Sequence, residues 1–124
     1  MTSPSFGLWP AGSAGGASAV KAFAVVEGPS EPFPNGRFLT NYGGVFDTVV
    51  NGGAGQFALT MLDSSITAAN TGVLITPWGG TGTGAAAQAS YSISGSTLSV
   101  VIRDESGTLA DPNRFTITLM KDPG

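Results

Sequence analysis

Apolar and polar side chains take turns along the C-terminal third of this chain. Tyr91 and Ile93 alternate with Ser90, Ser92 and Ser94, and Gly95-Ser96 supplies a reversal. Leu98, Val100 and Ile102 then alternate with Thr97, Ser99 and, less cleanly, Val101. After a polar, turn-rich segment from Asp104 to Asn113, Phe115, Ile117 and Leu119 alternate with Arg114, Thr116 and Thr118. A period of two over this many positions predicts strands with one face buried and one wet, the pattern of an antiparallel sheet. The inward set is expected to be Tyr91, Ile93, Leu98, Val100, Ile102, Phe115, Ile117 and Leu119.

The same grammar runs upstream with shorter words. Val20 to Val26 reads as a first strand, followed by a rigid loop with Pro29, Pro32 and Pro34 that presents Phe33. Arg37 to Thr40 is a short strand, with a turn at Asn41 to Gly44. Val45 to Val50 and Gln56 to Leu62 form a hairpin about Asn51-Gly52-Gly53-Ala54-Gly55, because Asn and Gly supply positive φ at little cost. Asp63 to Thr71 is the one candidate helical turn, with Asp63, Ser64 or Ser65 as its cap. Gly72 to Trp78 is a strand that Pro77 ends or marks as an edge. Gly79 to Gly84 is a loop tip. Seven or eight short strands broken by Gly and Pro predict an all-β fold, a sandwich or a barrel, and of these an antiparallel β-sandwich of jelly-roll-like form is preferred.

Residues 1–19 read as an extended N-terminal arm, and 20–124 as one β-sandwich domain. The arm carries Pro4, Pro10 and four glycines, a composition that sustains neither helix nor ladder. Yet Phe6, Leu8 and Trp9 sit in its middle. Two readings stand: these side chains dock on a neighbouring subunit or another protein, as interface aromatics do, or they fold back on the chain's own sheet.

Composition narrows the chemistry. A chain of 124 residues buries about 65% of its unfolded surface and needs no staples. Charged residues make up 10% of it, against about 25% in typical domains, with Gly, Ser, Thr and Ala in their place. That suits a surface covered by partners, or reflects a compositional bias. The net charge is −3 and the five basic residues are scattered, so no nucleic-acid stripe is expected. There is no apolar run long enough to span a membrane. No Lys or Arg precedes Lys21, so a secretory leader is not expected either.

Histidine and cysteine are both absent. This excludes a Ser-His-Asp triad, a Cys-His pair and His- or Cys-based zinc sites, and the chain is read as a non-enzyme without cofactor or metal. Gly79 to Gly84 lacks the Lys-Ser/Thr ending of a phosphate loop. Asp104, Glu105 and Asp111 share one loop and offer oxygen ligands, but their spacing matches no EF-hand and a solvated turn is expected. Trp78, at a strand end, is expected to be exposed, and with Trp9, Tyr42 and Tyr91 it is a candidate for stacking on a sugar.

Lys21–Val26, the Gly52–Thr60 hairpin, Val73–Pro77 and the closing Tyr91–Gly95, Leu98–Asp104 and Arg114–Leu119 strands, behind a Gly/Ser/Ala arm, resemble the small all-β virion proteins of tailed bacteriophages. These are the capsid decoration (cement) proteins and the tip domains of tail fibres. The resemblance implies a homo-oligomer, a trimer above all, attached to the major capsid protein on the virion surface. The resemblance carries over no residue; from the chain's own pattern, Phe6, Leu8 and Trp9 are expected as arm anchors, with Phe33 and Trp78 as secondary contacts. The absence of heptads or collagen-like repeats favours decoration over a fibre tip; a receptor- or carbohydrate-binding module is the alternative.

Overall fold

The computed structural model describes residues 19–79 and 86–122. Eight strands form: β1 (Ala19–Glu27), β2 (Arg37–Tyr42), β3 (Phe46–Gly53), β4 (Gln56–Met61), β5 (Thr71–Trp78), β6 (Ala86–Ser94), β7 (Thr97–Asp104) and β8 (Arg114–Lys121). They make two four-stranded sheets, one in the order β2-β1-β8-β5 and the other in the order β3-β4-β7-β6. Every pairing is antiparallel. The hairpins β1–β2, β3–β4 and β6–β7 each stay within a sheet, while the chain changes sheets at β2–β3, β4–β5, β5–β6 and β7–β8.

The sheets pack face to face through the apolar half of each alternation. Ala22, Ala24, Val26, Phe115, Ile117 and Leu119 of the first sheet meet Phe57, Leu59, Met61, Leu98, Val100 and Ile102 of the second, all of them buried. Phe57 and Phe115 touch across the interface with ring centroids 4.9 Å apart. Large and small side chains interdigitate: Ala22 and Ala24 lie beside Leu119 and Ile117, leaving room for the bulky neighbours. Each fully buried Leu, Ile or Phe contributes about 1.5–3 kcal/mol relative to exposure.

Two sequence expectations need correction. Tyr91 has inward parity, paired with Val100, but β6 is an edge strand and Tyr91 is 42% exposed. The core ends before it reaches that ring. The segment from Asp63 to Asn70 forms turns and no helix. Asp63 does cap it locally: its Oδ1 accepts the Ser65 amide (2.9 Å) and the Ser65 hydroxyl (2.6 Å), an Asx turn that competes with helix.

The closing loop is an exposed turn at Glu105 to Thr108, and its Asp111 end is tied to the β3–β4 turn. Gly55 has φ of +68° and a Cβ there would lie 2.2 Å from the Ile102 carbonyl oxygen, so only glycine fits. The Gly55 carbonyl accepts the Ile102 amide (2.7 Å), and the Asp111 carboxylate accepts the Gly55 amide (2.8 Å). The β3–β4 turn is thereby pinned to the loop before β8.

Candidate functional site

The register of the first sheet sorts its outer face into four rows across the strands. The first is Arg37–Glu27–Arg114–Trp78. The second is Thr40–Val25–Thr116–Thr76 and the third Tyr42–Phe23–Thr118–Leu74. The last is Val20–Met120–Gly72. Charge is confined to the first row. The other three carry threonine and apolar side chains only, and several large ones face solvent: Leu74 is 59% exposed, Tyr42 68% and Phe23 36%, with Val20 exposed beside them.

The first row is a ladder of stacked and paired groups. The Arg37 guanidinium lies over the Phe33 ring, 4.2 Å from its centroid, and its Nε donates to Glu27 Oε1 at 2.8 Å. The Arg114 guanidinium lies 4.8 Å from the centroid of the Trp78 ring. Exposed cation–π contacts are worth about 0.5–1 kcal/mol each, so they orient the rings more than they stabilise the fold. Phe33 and Trp78, singled out separately in the sequence, thus stand at the two ends of one row. Phe33 is half-buried and Trp78 is 57% exposed.

Beside Trp78 lies a cleft of about 420 Å³ lined by Glu27, Ser30, Asp111, Asn113 and Arg114 among others. Three chain segments are laced together to make it. Gly28 donates its amide to the Asn113 carbonyl (2.8 Å), and Asn113 donates its own to the Trp78 carbonyl (3.0 Å). The approach is so close that a Cβ on Gly28 would lie 2.0 Å from the Pro112 carbonyl oxygen.

Two carboxylates of the closing loop are taken up by protein groups, Asp111 by the Gly55 amide and Asp104 by the loop itself. Asp104 Oδ1 accepts the Ser106 hydroxyl (2.8 Å) and amide (2.9 Å) and the Thr108 amide (3.0 Å). These bonds, the Ser106 hydroxyl foremost, hold its carboxyl below the ordinary range. Among the described residues no three His, Cys, Asp or Glu side chains converge as metal ligands. The turn aspartate Asp63 is held down at about 2 by the Ser65 hydroxyl and amide and by Lys21, whose Nζ lies 3.2 Å from its Oδ2.

Phe6, Leu8 and Trp9, and the loop positions 80–84, lie outside the described residues. Apart from Tyr42, the rest of the outer face went unremarked in the sequence, although a signal exists. Ala22–Val26 and Val73–Ile75 are apolar at both parities, which is how strands covered on both faces read. Comparison with known proteins adds no relative: no family model matches the chain, and neither a curated protein nor a solved structure does.

Proposed function

We propose that the chain is a structural protein that acts by adhesion. In this reading it is a virion component of the capsid-decoration type, laying the outer face of its first sheet across capsid subunits. The observation that carries the proposal is the part of the outer face beyond its one charged row, where Phe23, Tyr42, Leu74 and Val20 stand exposed on a four-stranded platform. A contiguous apolar patch of this kind marks an interaction surface. The phage setting rests on the sequence resemblance.

Size sets how such a surface works. Four strands about 4.8 Å apart, each of about eight residues rising about 3.3 Å, offer a footprint near 500 Å². Stable interfaces bury about 800 Å² on each partner. One face is therefore a weak grip, and several copies acting together supply the remainder through effective concentration, in keeping with the expected trimer. A partner that binds only the assembled particle stabilises it by about 2.7 kcal/mol at a free concentration of 100 Kd.

The test is co-sedimentation with purified virions. The native chain should pellet with particles and Leu74→Lys should not; equal pelleting of both, or of neither, contradicts the proposal. A second reading follows from one specific observation, the laced cleft beside Trp78. An exposed indole flanked by Asn113, Arg114 and Glu27 has the parts of a pyranose site: an apolar platform with planar hydrogen-bonding groups at its rim. Glycan-array binding that is lost in Trp78→Ala would support this reading, and a blank array would end it.

A further inference from the structure

A second concavity lies away from the outer face, between the β4–β5 loop and the β6–β7 hairpin. It has a volume of about 600 Å³ and is lined chiefly by apolar atoms, with Ile66, Ala68, Ala69 and Ile93 among its walls and Ser96 at its hairpin side. Ile66 is buried and forms part of the core, while Ala68 and Ala69 are exposed. The small alanines leave the space open. The position is held by the Met61 amide on the Ser96 carbonyl (2.7 Å) and the Asp122 amide on the Asn70 carbonyl (2.7 Å).

The start of β1 is at the same end of the sandwich. Ala19 and Thr71 both pair with Lys121, and Lys21 bridges to Asp63 at 3.2 Å, next to Ser64 on the socket wall. Ten residues upstream of Ala19 stands Trp9, with Leu8 and Phe6 before it. Ten extended residues span up to about 33 Å, and the socket wall is at the end of the sandwich where that stretch begins. A Phe or Trp side chain buries about 150–250 Å² when seated, and concave apolar sites of about 300–1,000 Å³ are the usual hosts for such groups.

We infer that the Phe6–Trp9 segment seats in this socket, on its own chain. A short tether raises the local concentration of a knob to the millimolar range. This socket therefore meets its own arm far more often than the arm of another copy. The flat outer face of the first sheet offers no such enclosure and stays open for a broad partner. The inference is independent of the proposed function, since it concerns a different surface.

Trp78→Phe leaves Trp9 as the sole indole and serves as the parent for a fluorescence test. Expected are blue-shifted emission and protection from acrylamide that do not change on dilution. In the same background Ala69→Arg, an exposed loop substitution that fills the socket with charge, should raise the quenching constant several-fold. Ala68→Arg repeats the test if the first variant folds poorly, with far-ultraviolet circular dichroism as the fold control. Three results would overturn the inference. Trp9 could quench as readily as free tryptophan amide; its protection could vanish on dilution, which assigns the arm to another copy; or it could persist in both arginine variants, which places the segment elsewhere.

Discussion

The two sheets have equivalent inner faces and dissimilar outer ones. Inside, each contributes a row of Leu, Ile, Val and Phe to one shared core. Outside, the second sheet presents Gln56–Val101–Ser90, Val50–Ala58–Ser99–Ser92 and Thr60–Thr97–Ser94. No apolar side chain in these rows is larger than valine, and hydroxyls satisfy one another, as where Thr48 and Thr60 lie 3.1 Å apart. The first sheet presents Phe23, Tyr42, Leu74 and Trp78 in the same environment. Solvent alone makes no such demand on one sheet and not the other. The outer face of the second sheet is built of serine and threonine and that of the first of aromatic residues and leucine, the contrast on which the proposed adhesive role rests.

The largest effects should ignore this difference. Phe115→Ala in the first sheet should cost about 3–5 kcal/mol and Leu98→Ala in the second about 2–5 kcal/mol, measured by urea unfolding. Comparable losses would show that the sheets share one core, and a cheap Leu98→Ala would show that they do not. Gly55→Ala comes next, at about 1–3 kcal/mol, because the new methyl meets the Ile102 carbonyl at a left-handed φ. A neutral outcome would mean that the turn is not pinned as described.

Outer-face substitutions should leave stability nearly flat while separating the sheets by their adhesion. Leu74→Lys and Ser92→Lys should each shift stability by no more than about 0.5 kcal/mol. Only Leu74→Lys should shorten retention on a hydrophobic-interaction column. Equal retention changes would erase the contrast between the faces. The smallest effect belongs to a group on neither face. The Asp63 carboxyl is held at about 2, below the unfolded value of about 3.9. Its contribution to stability is therefore complete above about pH 4 and is lost as pH falls through about 2. Asp63→Asn should lower the urea midpoint slightly above about pH 4 and leave it unchanged near pH 2, flattening that part of the acid limb in midpoints taken from pH 2 to 6.

The fold was readable because most strands declare themselves by period two. β8 alternates cleanly and β7 does so apart from Val101, and Gly95-Ser96 marks the hairpin between β6 and β7. Tyr91 misleads because parity tells which way a side chain points but not whether the opposing sheet extends that far. The Asp63 segment misleads because an Asx turn and a helix cap share the same residues. The candidate surface was half readable. Phe33 and Trp78 stand out as aromatics beside prolines, but only the register of β2, β1, β8 and β5 shows that they share a row. Phe23 and Leu74 stayed hidden because β1 and β5 are apolar at both parities, so periodicity cannot say which side is inward. That ambiguity is itself the mark of a strand covered twice.

The cysteine-free chain permits a direct test of the central claim that the outer face of the first sheet is the adhesive one. Single cysteines at Leu74→Cys and Ser92→Cys place one thiol on each outer face, and maleimide labelling is followed in the free protein and on purified virions. Protection at position 74 upon binding, with unchanged labelling at position 92, is the predicted result. Equal labelling at both positions, or protection at position 92 alone, would contradict it.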